Sequence, residues 1–499
     1  MKKQTRYTQA FSSFCILDSA FLSRNTGEAA EMSNTIQELL AATGNAIEMK
    51  GGQAHVLDEA KLRATGIDAL VNAAVFGNEQ QQPVARWLIR ETALALDIVP
   101  SSIHELYLAR GRGALPHNFT TPAMNIRVGS YDTGRAAIRA AIKRNVGAFI
   151  FEIARSEMTY TMQPPTEFVS VLLAAAIKEG FRGPLFFQGD HFQVNAKKYA
   201  VDADAELGAL KKLMVEAVKA GFYNIDIDTS TLVDLSKPTL PEQQKLNCEL
   251  CAMFSDYIRS IEPQGVNVSL GGEIGEVGHK NSDIYELRAF MQGYTPLIKH
   301  QPGLSKISVN TGTSHGGTVL PDGSIADVPI DFNTLGDLSV DARQYQMGGA
   351  VQHGASTLPE NAFGKFAQVG AIEVHLATAL QTVYFDALPH ALNEEINQWL
   401  LKNASDERKA GDTDAQFFHK TRKKATGIYK KQFWNMPEAD REHVRQALET
   451  RFALYFNRLG VENTKPYVTK FVPIVKVHLK PEDYGGAPMP AEDVTGLAD

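Results

Sequence analysis

Short apolar runs alternate with longer amphipathic stretches between residues 119 and about 390, and this alternation limits the fold more than any other feature. The runs, rich in Val, Ile and Phe, occupy residues 121–128, 147–154, 183–191, 222–230, 266–274, 306–314, 348–356 and 372–380. Runs of this length predict strands, whereas TGRAAIRAAIKRN and ELGALKKLMVEAVKAG between them predict helices. Eight strands with helical crossovers predict an α/β fold, a (β/α)8 TIM barrel.

A doubly wound open sheet is the alternative fold. Such a sheet usually carries a glycine-rich turn after its first strand. Here the first strand is followed by NIRVGSYDTG, which is no dinucleotide fingerprint. An open sheet also predicts no polar pattern at all eight strand ends, so the barrel is favoured.

The segments that flank the barrel have helical periodicity. TIQELLAATG and PVARWLIRETALALDI precede it, and EADREHVRQALETRFALYFNRLG follows it. We therefore predict a helical N-terminal extension (1–115), a barrel (116–390) and a helical C-terminal extension (391–499) that ends in a loose tail.

Composition excludes several classes of protein. A net charge of −7 and a pI of about 6.0 do not suit a protein that binds nucleic acid or an anionic membrane. No stretch approaches the ~18 apolar residues of a membrane span, and serines and an aspartate interrupt the apolar run of the N-terminus, which makes a poor signal peptide. Cys248 and Cys251 form a CxxC in a helical pattern, which we interpret as a helix face in preference to a redox or zinc pair. A cytoplasmic protein is predicted.

Polar side chains stand at the end of every predicted strand. In a TIM barrel all strand C-termini open on the face that holds the active site. The residues at these ends are Asn125, Ser156, Asp190, His191, Asp228, Glu273, His315, His353, Ser356, His375 and Thr378. Each has a structural explanation taken singly (Asp228 could cap a helix), but the barrel would bring them together.

Three of these residues predict a metal site. His191, His315 and His353, together with oxygen ligands and one open position, describe a catalytic divalent site for which zinc is the first choice. They lie far apart in sequence, so only the barrel supports their convergence. Gly316 and Gly354 each follow a histidine, and glycine lets backbone N–H groups approach an anion. A phosphate site is thus predicted after the last strands; the alternative is that these glycines only make tight turns.

These motifs together resemble the class II, metal-dependent fructose- and tagatose-bisphosphate aldolase family over roughly residues 119–390. The resemblance rests, in order, on TPAMNIR, GDH, IDTS, GGEIGEVG, GTSHGG, and DFNTLGDL before VQHGAST. It implies that Asp190 handles the proton of the hydroxyl at the reacting bond. The implied metal ligands are His191, His315 and His353, with Glu273 and Asp228 beside the metal. The implied phosphate or monovalent-cation positions are Gly316, Gly354, Ser356 and Thr378, and we expect Asn125 and Ser156 to contact substrate.

The sequence also departs from the family. His375 stands where the family has an asparagine that contacts the enediolate, and we expect it to take a catalytic role. The loop after Glu273 lacks the family's proton-transfer acid at its usual place, so we expect Glu276 to supply it, with His279 and Asp283 as alternatives. The stretch HGGTVLPDG, which begins at His315, contains no lysine, although many members have one there near the phosphate.

The resemblance implies a carbon–carbon lyase of the aldehyde-lyase class (EC 4.1.2.-). It would cleave or form a ketose phosphate or bisphosphate through a zinc-stabilised enediolate, in carbohydrate metabolism such as glycolysis, as a homo-oligomer. One alternative is a catalytically weakened, aldolase-like protein that binds a sugar phosphate or supports a partner subunit. Another is a metal lyase acting on a non-phosphorylated sugar acid.

Overall fold

The computed structural model describes residues 31–274, 280–312, 320–321, 330–485 and, in the C-terminal tail, residues 492, 494, 495 and 497. The chain divides into two compact units. One combines Met1–Ala95 with His478–Gly486, and the other combines Leu96–Val477 with Ala487–Asp499. The predicted division near residues 115 and 390 stays a prediction.

The first unit combines helices with a β-hairpin. Its helices are residues 31–42 (α1), Ile67–Phe76 (α2) and Gln81–Ala95 (α3), with a short turn Glu59–Lys61 and a π-helix Leu62–Gly66 before α2. Strands Ile47–Lys50 (β1) and Gln53–Val56 (β2) pair antiparallel around Gly51 and Gly52, whose positive φ angles suit a two-residue hairpin turn. The returning chain is bound to α3, because the Trp87 indole donates to the Leu479 carbonyl at 2.8 Å.

The second unit contains a closed barrel of eight parallel strands. These are Thr121–Asn125 (β4), Ile150–Ala154 (β5), Gly183–Gln193 (β6), Asn224–Asp228 (β7), Ser269–Glu273 (β8), Lys306–Val309 (β9), Ala350–Gln352 (β10) and Glu373–Leu376 (β11). Consecutive strands pair in order, and β11 closes the ring by pairing with β4. Seven of the eight predicted strands contain an observed one, and the eighth, β6, begins at the predicted residue and continues two residues past the predicted end, so the (β/α)8 barrel is confirmed.

Helices surround this barrel and continue after it. The first set is His104–Gly111 (α4), Ser130–Lys143 (α5), Arg155–Tyr160 (α6), Pro165–Glu179 (α7), Ala196–Val201 (α8), Ala203–Ala220 (α9), Leu240–Ile261 (α10), Ile284–Tyr294 (α11), Phe332–Gln344 (α12), Phe363–Val369 (α13) and Thr378–Asp386 (α14). The C-terminal set is His390–Asn403 (α15), Asp414–Thr421 (α16), Ala425–Ile428 (α17), Lys430–Trp434 (α18), Glu438–Arg458 (α19) and Lys465–Phe471 (α20). None of the helices in the described part of the chain has the length and apolar content to span a bilayer.

A ninth strand, Ile98–Ser101 (β3), pairs parallel with the first residues of β6, from Gly183 to Phe186. The pairing of β6 with β7 begins only at Gln188, so β3 satisfies backbone groups that β7 does not reach. The helical periodicity before residue 115 did not predict β1, β2 or β3. They are four-residue strands, too short to produce a clear alternation of polar and apolar residues.

The C-terminal helices pack against the barrel's first crossover helix. Asp132, in the first turn of α5, lies 2.7 Å from Arg441 Nε and 2.5 Å from Arg445 Nη1, both on α19. Trp434 stacks on Tyr131 with ring centroids 5.6 Å apart. The helices after residue 390 therefore belong to the same compact unit as the barrel.

The barrel interior is charged, whereas most TIM barrels fill it with branched apolar side chains. Lys306 on β9 is fully buried, and its ammonium lies 2.8 Å from Asp226 on β7 and 2.8 Å from Gln188 on β6. It also contacts Glu373 on β11. Tyr107 on α4 donates to the other oxygen of Glu373 at 2.5 Å. These groups tie four strands and α4 together by charge-assisted hydrogen bonds.

We predict that Lys306→Met destabilises the protein by about 3–5 kcal/mol, because it leaves Asp226 and Glu373 without their buried counter-charge. Unfolding in urea, followed by circular dichroism, measures the change. Lys402→Met, at an exposed position of α15, is the control and should change stability by less than about 0.5 kcal/mol. Equal urea midpoints for the two variants would contradict a structural role for the buried ion pairs of Lys306 with Asp226 and Glu373.

Candidate metal centre and active site

A β-bulge in β6 directs two successive side chains toward the same cavity. Neighbouring residues of a regular strand face opposite sides of the sheet. Between Gly189 and Phe192 the register of β6 against β7 shifts, and His191 adopts a positive φ of 40°. As a result Asp190 Oδ1 lies 3.8 Å from His191 Nε2, and both residues are buried.

Carboxylates from the next two strands surround His191. Its Nδ1 lies 3.1 Å from Asp228 Oδ2, at the end of β7, and 3.4 Å from Glu273 Oε2, at the end of β8. The ring of His353, just after β10, has its centroid 4.3 Å from that of His191. His353 Nδ1 in turn lies 4.0 Å from Asp190 Oδ1. The structure thus brings together five of the residues predicted at the strand ends.

The donor set suits a divalent cation. Atoms able to bind a metal lie within 4.8 Å of one another in Asp190, His191 and His353, and likewise in His191, Asp228 and Glu273. Imidazole nitrogen and carboxylate oxygen are the ligands of catalytic zinc sites. The third predicted histidine ligand, His315, lies outside the described residues, as do Gly316 and Glu276.

The electrostatics of the cluster also fit a cation. Burial opposes the imidazolium of His191, but Asp190 and Glu273 outweigh it and raise the pKa of His191 well above its ordinary value. Burial likewise opposes the Asp190 carboxylate, yet His191 and His375 hold the pKa of Asp190 well below its usual range. The negative potential that attracts a proton to His191 attracts a metal ion to the same lone pairs.

His375 joins this cluster to the charged interior of the barrel. Its Nδ1 lies 3.1 Å from Asp190 Oδ1 and its Nε2 lies 2.8 Å from Glu373 Oε1. Burial raises the pKa of Glu373, but Lys306 outweighs it and lowers that pKa to about 2. Glu373 therefore remains a carboxylate that fixes the orientation of the imidazole. His375 is therefore hydrogen-bonded to Glu373 through one ring nitrogen and to Asp190 through the other.

A second set of contacts holds Asp190 from the other side. Asn125, at the end of β4, donates to Asp190 Oδ2 at 2.8 Å and to Glu157 Oε2 at 3.0 Å. Glu157 also accepts from Arg127 Nε at 2.5 Å and from the Ala154 amide at 2.9 Å. Asn125, predicted to contact substrate, is thus seen to position the Asp190 carboxylate, and its contact with substrate stays a prediction.

The predicted anion-binding residues lie after β5, β10 and β11. Ser156 is buried in the first turn of α6. Gly354 adopts a φ of 69°, and two residues later the Ser356 hydroxyl accepts from the Ala377 amide at 2.7 Å. Thr378 begins α14 directly afterward. The loops after β10 and β11 therefore meet, while the binding of phosphate there stays a prediction.

Sequence reasoning missed the inner layer of charged and amide residues. Its members are Glu152, Gln188, Asp226, Lys306 and Glu373. The signal was present, because a charged or amide side chain precedes a strand-end residue by two positions in three strands: Gln188 and Asp190, Asp226 and Asp228, Glu373 and His375. Residues two apart on a strand face the same side, so these charges belong to the same cavity.

We predict that His353→Ala reduces bound zinc to below about a tenth of wild-type occupancy while the fold is retained, because a ligand is removed from a preformed site. Elemental analysis after zinc loading and desalting measures occupancy, and circular dichroism verifies folding. His443→Ala, on the exposed face of α19, is the matched control. Full zinc occupancy in a folded His353→Ala protein would exclude His353 as a ligand.

Comparisons with known proteins place these features in a family. The family model for class-II fructose-bisphosphate aldolase matches residues 112–441. A comparison with curated proteins finds no match.

Solved structures are similar to this chain at low sequence identity. The fructuronate-tagaturonate epimerase from Cohnella laeviribosi has 11% identity and a TM-score of 0.55, over 84% of this chain and 90% of its own. A probable tagatose 6 phosphate kinase from Sinorhizobium meliloti 1021 has 14% identity and a TM-score of 0.53, over 68% of this chain and 100% of its own. A fructose-bisphosphate aldolase from Campylobacter jejuni has 16% identity and a TM-score of 0.43, over 71% and 93%.

The family model covers about two thirds of the sequence, and the barrel with its bulged β6 and clustered histidines and carboxylates lies inside the matched range. The chain belongs to the class-II fructose-bisphosphate aldolase family.

Proposed function

We propose that this protein is a metal-dependent aldehyde-lyase that cleaves or forms a carbon–carbon bond of a ketose phosphate. One observation carries the proposal: Asp190 contacts both His375, at 3.1 Å, and the ring pair His191 and His353, at 3.8 and 4.0 Å. A proton-transfer group thus lies directly beside a metal-type donor set. Family membership supports aldolase-like chemistry in general terms.

The metal ion would be held by His191 and His353, together with Asp228 and Glu273, and by His315, which follows β9 in the sequence. When bound, a divalent cation supplies Lewis-acid polarisation of the substrate carbonyl. The carboxylates add negative charge that raises affinity for the ion, and zinc is the first choice for this mixture of nitrogen and oxygen donors.

Asp190 is the proposed base in the cleavage direction. It takes the proton from the hydroxyl two carbons away from the ketose carbonyl. That oxygen forms the aldehyde, and the electron pair of the breaking carbon–carbon bond passes to the carbonyl fragment, which is then protonated on carbon. In condensation Asp190 returns its proton to the new hydroxyl. The hydrogen bond from Asn125 fixes one carboxylate oxygen and leaves the other directed at His375.

His375 is proposed to act beside Asp190, with its orientation fixed by Glu373. The mechanism needs no lysine that forms a Schiff base. Burial favours the neutral amine of Lys306, but Asp226 and Glu373 outweigh it and raise the pKa of Lys306, so this lysine stays a cation and not a nucleophile.

The substrate is proposed to carry a phosphate bound by the loops after β10 and β11. The left-handed Gly354 and the start of α14 at Thr378 support this proposal, because glycine lets backbone N–H groups approach an anion and other TIM barrels bind phosphate after their last two strands. A cytoplasmic homo-oligomer remains the proposed setting.

A second candidate is inversion at a carbon that bears a hydroxyl, in a keto-sugar acid. The contact of Asp190 with His375 favours it, because two adjacent proton-transfer groups can remove and return a proton. Fructuronate and tagaturonate, named for the Cohnella protein, are the compounds with which to test it.

Chelator treatment is expected to abolish turnover, and added zinc to restore it, since the proposed reaction requires a polarised carbonyl. The assay follows release of triose phosphate from fructose and tagatose phosphates by coupled oxidation of NADH. Full activity after chelation, with no zinc found by elemental analysis, would remove the metal from the reaction. Bound zinc without turnover of any ketose would indicate the alternative of an aldolase-like binding protein.

We predict that Asp190→Asn retains zinc but lowers kcat by about 10²–10⁴-fold, because the amide keeps the shape of the side chain and cannot accept the hydroxyl proton. Zinc content and the coupled assay are measured on the same sample. Asp406→Asn, at an exposed position, should match the wild-type protein. A kcat within threefold of wild type would exclude Asp190 as the base.

A further inference from the structure

A cavity of about 360 Å³ lies among α14, α15 and α16, and its wall includes Arg422, the residue that follows α16. Pockets that bind small molecules typically have volumes of about 300–1,000 Å³, so this cavity is large enough for a small ligand. None of the described residues that were predicted for the catalytic site lines it. The cavity is therefore separate from the metal-type cluster in the barrel.

Arg422 places a largely buried guanidinium in the wall of this cavity. Its side chain is only 11% exposed, and its guanidinium lies over the Phe385 ring, 5.5 Å from the centroid. Nη2 donates to the Thr382 hydroxyl. Nε is buried and has no acceptor among the described residues, and Nη1 comes only within 3.9 Å of Asp386, which is too far for a hydrogen bond. Two guanidinium nitrogens therefore lack an acceptor in the described part of the chain, although buried polar groups are normally hydrogen-bonded.

The charge of Arg422 is only partly compensated. Among the described residues Asp386 is the only carboxylate that pairs with this guanidinium, and the Asp386 side chain is 69% exposed. Water therefore weakens the attraction between the two groups. Burial lowers the pKa of Arg422 to about 10, although Asp386 acts in the opposite direction. The guanidinium is thus a desolvated cation that a bound anion would stabilise.

Neutral polar side chains on the same wall add hydrogen-bonding groups. Burial, followed by the charge of Arg422, lowers the pKa of His419 to about 4, so His419 presents a neutral imidazole with one N–H donor. Lys420, whose charge also acts on His419, is itself paired with Asp412 at 2.9 Å. The side chains of His419 and Asn397 both line the cavity, and neither is hydrogen-bonded to another described residue. They are available to a polar ligand.

We propose that this cavity binds a small organic anion, with the phosphate or carboxylate group of the ligand at Arg422. A guanidinium is suited to both groups, because its planar fork can donate two parallel hydrogen bonds to either. The rings of Phe385 and Phe418 line the same cavity and offer apolar contact to the carbon skeleton of the ligand. Binding at this site does not depend on the proposed function, since no catalytic group takes part in it.

Calorimetry with glycerol 3-phosphate, glycerate and glycerol tests the site in the full-length, zinc-loaded protein. The three probes share a carbon skeleton and differ in the anionic group. At least one of the two anions should bind at one site per chain that glycerol does not occupy, and the tighter anion identifies phosphate or carboxylate as the recognised group. Arg422→Met should weaken this binding by about 10- to 100-fold, the effect of lost charge-assisted hydrogen bonds.

Two further variants locate the binding event. Ala415 is an exposed residue of the cavity wall, so Ala415→Phe fills the cavity without removing a polar group and should weaken binding as Arg422→Met does. Arg408→Met is the matched control. Arg408 also lies over a phenylalanine ring, that of Phe417, and pairs with a carboxylate, that of Asp414, but it does not line the cavity. It should bind the anion as the wild-type protein does.

Circular dichroism verifies that each variant is folded. Unchanged anion binding in folded Arg422→Met or in folded Ala415→Phe would overturn the assignment, because the anion would then bind elsewhere. An equal loss of binding in Arg408→Met, equal binding of glycerol, or no binding of either anion by the wild-type protein would overturn it as well. If Arg422→Met does not fold, Ala415→Phe decides the result alone.

Discussion

The buried ammonium of Lys306 is the interaction on which the rest of the site depends. A barrel interior that holds Glu152, Asp226 and Glu373 together would be unstable without an internal cation, because removing carboxylates from water costs several kcal/mol each. Lys306 offsets that cost for Asp226 and Glu373, while burial raises the pKa of Glu152 well above its ordinary value and favours its neutral form. The Lys306 ammonium therefore offsets the negative charge of this layer, and the neutral form of Glu152 reduces that charge.

That balance determines how the outer layer is oriented. Glu373, ionised by Lys306, fixes the ring of His375, and His375 contacts Asp190. Asp190 can face His375 and the metal-type cluster together only because the bulge in β6 lets His191 follow it into the same cavity. A regular β6 would send one of these two residues out toward the helices.

The sequence predicted the parts of the molecule that local patterns encode. Eight apolar runs were sufficient to predict the barrel. The polar residues at their ends were sufficient to predict that five side chains converge: Asp190, His191, Asp228, Glu273 and His353. The sequence did not locate the bulge in β6, since no local pattern at GDH distinguishes a strand end from a bulge. The charged side chains inside the strands were not predicted to belong to the site, because their apolar neighbours dominate the periodicity of each strand. The contacts of Arg441 and Arg445 with Asp132 could not be predicted either, because they depend on how segments far apart in sequence pack together.

The low identity to solved relatives separates what the fold determines from what the side chains determine. Proteins named as an epimerase and as a sugar phosphate kinase share this fold at 11% and 14% identity, so the barrel alone does not select a reaction. In this chain the proposed proton acceptor, Asp190, lies 3.8 Å from His191 and 4.0 Å from His353, the metal-type donors, and 3.1 Å from His375. A carboxylate in that position can take a proton from a hydroxyl or from a neighbouring carbon. Which proton the proposed base would take therefore depends on which of them a bound substrate presents to the oxygen that faces His375, because Asn125 occupies the other carboxylate oxygen.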